Sequence, residues 1–162
     1  MKVFGLIGYP LGHSFSKDYF TKKFSREKIT DSIYKNFEMA SLDSFTGTIK
    51  EEKNLIGLNV TIPYKENIIR YLDKVDNVAK EIGSVNVIKV IDNKLIGFNS
   101  DYLGFKISLE KWLPNINFNA LVLGSGGSSN AICYALKKLN INYKIVSLSL
   151  IHISEPTRRD QI

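Results

Sequence analysis

Three groups of residues in this sequence have the types and spacing for chemistry. In GLNVTIPYK, residues 57–65, Asn59, Thr61 and Lys65 stand at the end of an apolar run that Pro63 stops. Ligands of α/β sheets collect beyond the carboxyl ends of strands. A lysine in the first turn of the helix expected next would stand against the helix dipole, making Lys65 a candidate for a lowered pKa and for proton transfer. A solvated surface lysine is the plainer alternative. In LVLGSGGSSNAI, residues 121–132, an apolar run leads through Gly124, Ser125, Gly126, Gly127 and Ser128 straight into a helical pattern. Such glycines let the backbone approach a pyrophosphate, and the helix start offers N–H groups and a positive dipole end. Ser129 stands where G-x-G-x-x-G has its third glycine, so a plain tight turn stays open. The third group consists of separate polar residues. Asn86 interrupts the apolar SVNVIKV and needs a partner or a ligand. Asp101, after GFNS, is either a helix N-cap or a functional carboxylate, and Ser14 and Ser16 are capping hydroxyls or donors to a carboxylate.

The elements that must position these groups follow from periodicity. Residues 3–8 read as a buried strand stopped by Gly-Tyr-Pro, and a helix capped by Ser14 or Ser16 runs to about Phe24 with Tyr19, Phe20 and Phe24 on its apolar side. Strands are expected over 34–39 and 55–62, with a helix from Leu42 to about Glu52 between them. Ile68, Ile69 and Leu72 mark a short helix beginning at Lys65, and Val75, Val78, Ala79 and Ile82 a second one ending at Gly83. Residues 85–91 and 94–98 are β-branched runs around Asp92-Asn93, a hairpin signal. The first hundred residues thus predict an α/β domain with a mostly parallel sheet. Phe105, Leu109 and Trp112 space a helix over 101–113, which Pro114 and an Asn-rich turn close. A strand over 120–123, a helix over 128–139 and a strand from Tyr143 to about Leu148 then make one βαβ unit.

Composition narrows the function classes. Hydrophobic residues make up 44% and charged residues 23%, as in an ordinary globular protein. The net charge of +6 is spread without a block of five like charges, which argues against a nucleic-acid tail, although a positive field suits small anionic ligands. Cys133 is the single cysteine, read as a small core residue, so an intramolecular disulfide framework is excluded and a reducing, cytoplasmic setting fits. There is no Cys/His spacing for a metal, and His13 and His152 have no ligand partner at useful spacing. The apolar run at the N-terminus is far short of the roughly 18 residues of a membrane span.

In order and wording these pieces resemble the shikimate dehydrogenase family, from about residue 3 to about 147. GYPLGHSFS is similar to the family's opening motif, NVTIPYK to its most characteristic stretch, and SVNVI, GFNSDYLGF and GSGGSS to its later motifs. The resemblance implies a substrate-binding and catalytic α/β domain over 1–100 and an incomplete Rossmann-like NADP-binding domain over 101–147. It implies that Ser14 and Ser16 bind the substrate carboxylate, that Thr61, Asn86 and Asp101 contact the substrate, that Lys65 and Asp101 are catalytic, and that residues 124–128 hold the cofactor phosphates. The implied reaction is reversible reduction of 3-dehydroshikimate to shikimate by NADPH, in aromatic amino-acid synthesis. Shikimate would be the partner, with no nucleic acid, membrane or metal, and a homodimer is left open.

Three departures qualify this expectation. The basic cluster that holds the 2′-phosphate of NADP should fall near residues 147–150, where Ser-Leu-Ser-Leu stands, so NAD and a quinate/shikimate specificity stay open. The family's further strands and helices are missing, so a catalytically incompetent substrate-binding fragment is a separate alternative. LSLIHISEPTRRDQI has no clear period and resembles translated adapter sequence, so residues 148–162 are expected to be a non-native tail that cannot supply another helix and strand.

Overall fold

The β-branched and aliphatic run at the start of the chain alternates cleanly. Val3 and Ile7 enter one apolar layer while Phe4 and Leu6 enter the other, as the period of a strand requires. The computed structural model describes residues 1–113 and 118–147, and the backbone of 150–154. Two compact units are present, Met1–Asn99 and Ser100–Ile162.

In the first unit β1 (Lys2–Gly8), β2 (Ser32–Glu38), β3 (Leu55–Val60), β4 (Lys74–Val75), β5 (Val87–Ile91) and β6 (Lys94–Phe98) form one sheet in the order β2-β1-β3-β5-β6-β4. Three of its five pairings are parallel, and β5 runs antiparallel to both neighbours. The hairpin of β5 and β6 turns through Asp92 (φ 49°) and Asn93 (φ 60°), two residues that tolerate the left-handed region a tight two-residue turn demands. α1 (Ser16–Arg26) lays Phe20 and Phe24 over Phe4, Leu6 and Tyr34 on one face. The other face is closed by α2 (Phe45–Glu51), a 3-10 helix (Asn67–Tyr71) and α3 (Asn77–Ile82), whose Phe45, Ile68 and Ala79 join Val3, Ile7, Leu58 and Ile88. Gly83, at φ 74°, ends α3 where a side chain would be strained.

The second unit contains α4 (Asp101–Trp112), β7 (Ala120–Leu123), α5 (Gly127–Lys138), β8 (Tyr143–Ser147) and β9 (Leu150–Ser154). β7 and β8 are parallel with α5 as their crossover. Val122, Cys133, Leu136 and Ile141 are buried together, with Phe105 and Leu109 of α4 packed against them. On the opposite face of β7, Leu121 and Leu123 are 61% and 75% exposed.

Several expectations need correction. Trp112 shares the spacing of Phe105 and Leu109 but is 85% exposed, because it lies at the last turn of α4, past the end of the packed stripe. β3 stops at Val60, two residues short of the expected end, because Pro63 takes the chain into a turn. The tail does contribute a strand: β9 pairs antiparallel with β8, and its sequence, Leu-Ile-His-Ile-Ser, is rich in β-branched residues. The Pro114 turn and, within the tail, residues 148–149 and 155–162 lie outside the described residues.

Candidate active site

The sheet topology gathers most of the chemically interesting residues of the first unit at one end. The chain leaves β1 and β3 there, after Gly8 and Val60. β5, being antiparallel, enters at that end directly after Asn86, and β6 leaves there toward Asn99. Backbone hydrogen bonds join these exits into one ladder. Thr61 N donates to Ile7 O at 2.8 Å, Tyr9 N to Ile62 O at 3.0 Å, Val60 N to Asn86 O at 2.9 Å, and Asn86 N to Phe98 O at 3.0 Å.

Lys65 is bound into the same ladder through its carbonyl, which accepts from Val85 N at 2.7 Å, one residue before Asn86. Its neighbour Tyr64 is buried and donates its hydroxyl to the Met39 carbonyl. On the other side Ile68 is fully buried, an anchor of about 1.5–3 kcal/mol. The segment carrying Thr61 and Lys65 is therefore held at both flanks. Lys65 does not lie in the first turn of a helix: the following turn is a 3-10 helix that starts at Asn67, so the expected opposition of its charge to an α-helix dipole does not arise.

Ser14 and Ser16 sit at the start of α1, but neither is its cap. Phe15 occupies the cap position and provides no side-chain hydrogen bond, while Ser14 Oγ accepts from Ser16 N at 3.3 Å. The loop before them is tied down by Ser14 N donating to Leu11 O at 2.9 Å and Leu11 N donating to the Glu38 carboxylate at 3.2 Å. Behind Ser16 stands Tyr34, 6% exposed, whose ring stacks on Phe20 at 4.6 Å between centroids. Its hydroxyl donates to Asn59 Oδ1 at 2.8 Å. Burial pushes the Tyr34 phenol up to about 12, against the opposing pull of a hydrogen bond with the Ser16 hydroxyl.

Asn86 is buried as the sequence suggests. A second buried asparagine, Asn99, is one that sequence reasoning misses. Its amide donates to Ser84 O at 3.0 Å and Ser84 Oγ at 2.9 Å, fixing the strand exit two residues before Asp101. Tyr34 is missed in the same way. The available signals are an asparagine directly after an apolar strand and a tyrosine at an inward position of β2.

In the second unit Ser100, not Asp101, is the N-cap of α4, and Asp101 is the first helical residue, where its carboxylate suits the positive dipole end. The glycine-rich segment has the shape of a phosphate cradle. Gly124 closes β7 at φ 111°, its N–H donating to Val146 O at 2.8 Å, and a Cβ there would be strained and 3.4 Å from Ser129 Oγ. A Cβ at Gly126 would meet nothing within 4 Å, and no side chain caps α5, which starts at Gly127. Ser125 Oγ and Ser147 Oγ lie 2.9 Å apart, joining the loop to the end of β8. An open space against a helix N-terminus, with glycine where the backbone must turn, fits a dinucleotide phosphate.

Comparison with known proteins agrees with this geometry. The family profile described as shikimate dehydrogenase substrate binding domain matches residues 6–88. Shikimate dehydrogenase (NADP(+)) of Methanococcus aeolicus is 39% identical over 142 residues, covering 86% of this chain and 50% of that protein. The crystal structure of shikimate dehydrogenase from Aquifex aeolicus superposes with a TM-score of 0.82 at 35% identity, covering 91% of this chain and 56% of the other. Shikimate 5-dehydrogenase from Thermus thermophilus, solved with NADP(H) and shikimate, gives a TM-score of 0.79 at 30% identity, with 92% of this chain and 57% of the other covered. The chain spans about half the length of the curated relatives it matches.

Proposed function

Because the chain belongs to the shikimate dehydrogenase family, as the match to its substrate-binding domain shows, we propose that it supplies the substrate-binding half and the start of the cofactor half of an NADP-dependent shikimate dehydrogenase. The observation that carries this reading is the single sheet end to which Thr61, Lys65 and Asn86 are hydrogen-bonded as one ladder, with the Ser14 loop leaving β1 at the same end. Shikimate and 3-dehydroshikimate are small, carboxylated and hydroxylated, and such a molecule needs hydroxyl and amide donors around a proton-transfer group.

In this reading Ser14 and Ser16 donate to the substrate carboxylate, while Thr61 and Asn86 hydrogen-bond the ring hydroxyls. Holding the ring at both ends fixes the reacting carbon and lowers the entropic part of the barrier. As negative charge grows on the carbonyl oxygen, Lys65 Nζ gives a proton to it, and in the reverse direction takes one from the hydroxyl. Asp101 is the second catalytic residue, a carboxylate in the first turn of α4. Gly124, Ser125, Gly126, Gly127 and Ser128 hold the phosphates of NADP, whose nicotinamide supplies or accepts the hydride. The first unit is the catalytic domain and the second the cofactor domain of a cytoplasmic protein. The buried thiol of Cys133 supports a reducing compartment, and a homodimer is the assembled form to be tested by sedimentation. Among the described residues no helix is long and apolar enough to cross a membrane.

The test is NADP+ reduction by shikimate at alkaline pH, followed by nicotinamide absorbance, in the chain and its Lys65→Ala variant. Turnover that disappears in the variant supports the reading. Equal turnover in both would overturn the role of Lys65, and a chain that neither turns over nor binds shikimate would overturn the substrate.

A further inference from the structure

We propose that Tyr34 is a positioning residue of the substrate site, holding the Asn59 amide in a fixed orientation from beneath. The inference rests on the reading of this sheet end as the substrate site, and adds to it a residue that touches no substrate.

Tyr34 is on β2, at an inward position packed with Leu6 and Leu11. Its ring is fixed in direction by stacking on Phe20, with an interplanar angle of 10°. That leaves the hydroxyl a single location, against the Asn59 side chain of β3. A phenol has one hydrogen to donate, and here it goes to Asn59 Oδ1. One consequence follows from donor and acceptor counting. The Asn59 amide is locked with its oxygen inward, so its two N–H hydrogens are presented on the half-exposed side. The Asn59 side chain is not fixed by its backbone element alone, and it is short enough to rotate freely without this anchor.

Replacing Tyr34 with Phe removes one oxygen and keeps the stacked ring, so the layer under α1 remains packed. Asn59 then loses the donor that fixes its amide. The expected result is a roughly five- to tenfold loss of shikimate affinity, the scale of one to two weakened hydrogen bonds.

Two measurements on the full chain test this. In amide correlation spectra without ligand, the Asn59 side-chain NH2 pair is expected to be well separated, and to shift and draw together in Tyr34→Phe while the backbone signals of β1 and β3 stay in place. An unchanged NH2 pair would overturn the proposal. In shikimate titrations, Tyr34→Phe and Asn59→Ala are each expected to weaken binding, and the double variant to lose less than the product of the two. Full multiplicative loss, or undiminished affinity in Tyr34→Phe, would overturn it as well. If the unaltered chain does not bind shikimate, the substrate reading fails, whereas the ligand-free spectra still decide whether Tyr34 orients Asn59. Should Tyr34→Phe lose its fold, Asn59→Asp keeps the acceptor for the phenol and removes the amide hydrogens. Its predicted signature is lost shikimate affinity with the Tyr34 ring signals unmoved.

Discussion

Gly8 is the position where fold and site can be perturbed together by one carbon atom. It ends β1, and a Cβ added there would lie 2.4 Å from Thr61 Cγ2, 2.8 Å from Leu11 Cδ2 and 2.9 Å from Ile62 O. An ordinary carbon contact needs about 3.5 Å, so the Thr61 methyl would have to retreat by about 1 Å. It cannot do so by a simple backbone shift, because Thr61 N is bonded to Ile7 O and the Ile62 carbonyl to Tyr9 N. Overpacking of this kind costs about 1–3 kcal/mol. For a unit of this size, about 2 kcal/mol corresponds to a fall in Tm of about 8–16 °C. The displaced Thr61 hydroxyl should also weaken shikimate binding about tenfold, the worth of one good hydrogen bond. Thermal unfolding and calorimetric titration of Gly8→Ala would measure both. Gly47→Ala is the control, since a Cβ at this helical glycine meets nothing within 4 Å, and it is expected to leave binding alone and add up to about 1 kcal/mol of stability. A Gly8→Ala chain that melts and binds like the parent would refute the close packing of Thr61 against β1.

Other consequences can be checked in the same assays. The folded-state pKa of Tyr34, about 12, lies above its ordinary value of 10.0. Its contribution is therefore complete below pH 10 and is lost as pH rises from there through about 12, up to about 2–3 kcal/mol in all. Urea midpoints of the parent should fall over that range more steeply than those of Tyr34→Phe, and parallel curves would contradict this. Asn99→Ala takes the amide donor away from the buried Ser84 hydroxyl and carbonyl, and should cost about 2–3 kcal/mol in urea unfolding. Leu121 and Leu123 form an exposed apolar face, so Leu121→Lys with Leu123→Lys should reduce dye binding and aggregation in light scattering without loss of stability.

The parts of the molecule legible in the sequence are those governed by local period and turn chemistry. The alternation of residues 3–8, the Asp92-Asn93 turn and the glycine after β7 each have one low-energy solution, and the structure adopts it. Cap positions are less legible. Ser14, Ser16 and Asp101 are all good capping types, yet Phe15 and Ser100 take the cap positions, because the loop tied by Leu11 and the exit fixed by Asn99 set where each helix begins. Lys65 stands beyond a strand end, as its motif predicts, but in a different kind of turn, since Pro63 and the burial of Ile68 tighten the chain into a 3-10 helix. Tyr34 and Asn99 cannot be found from period at all. Their importance comes from hydrogen bonds across 25 and 15 residues of sequence, a relation that only the closed sheet creates.

The most direct test of the central claim is titration of shikimate into the chain, followed residue by residue in amide correlation spectra. The expected result is saturable shifts at Ser14, Ser16, Thr61, Lys65 and Asn86, abolished together in a Ser14→Ala, Ser16→Ala double variant that remains folded. No saturable shift, or shifts confined to residues away from the sheet end that carries Thr61, Lys65 and Asn86, would contradict it.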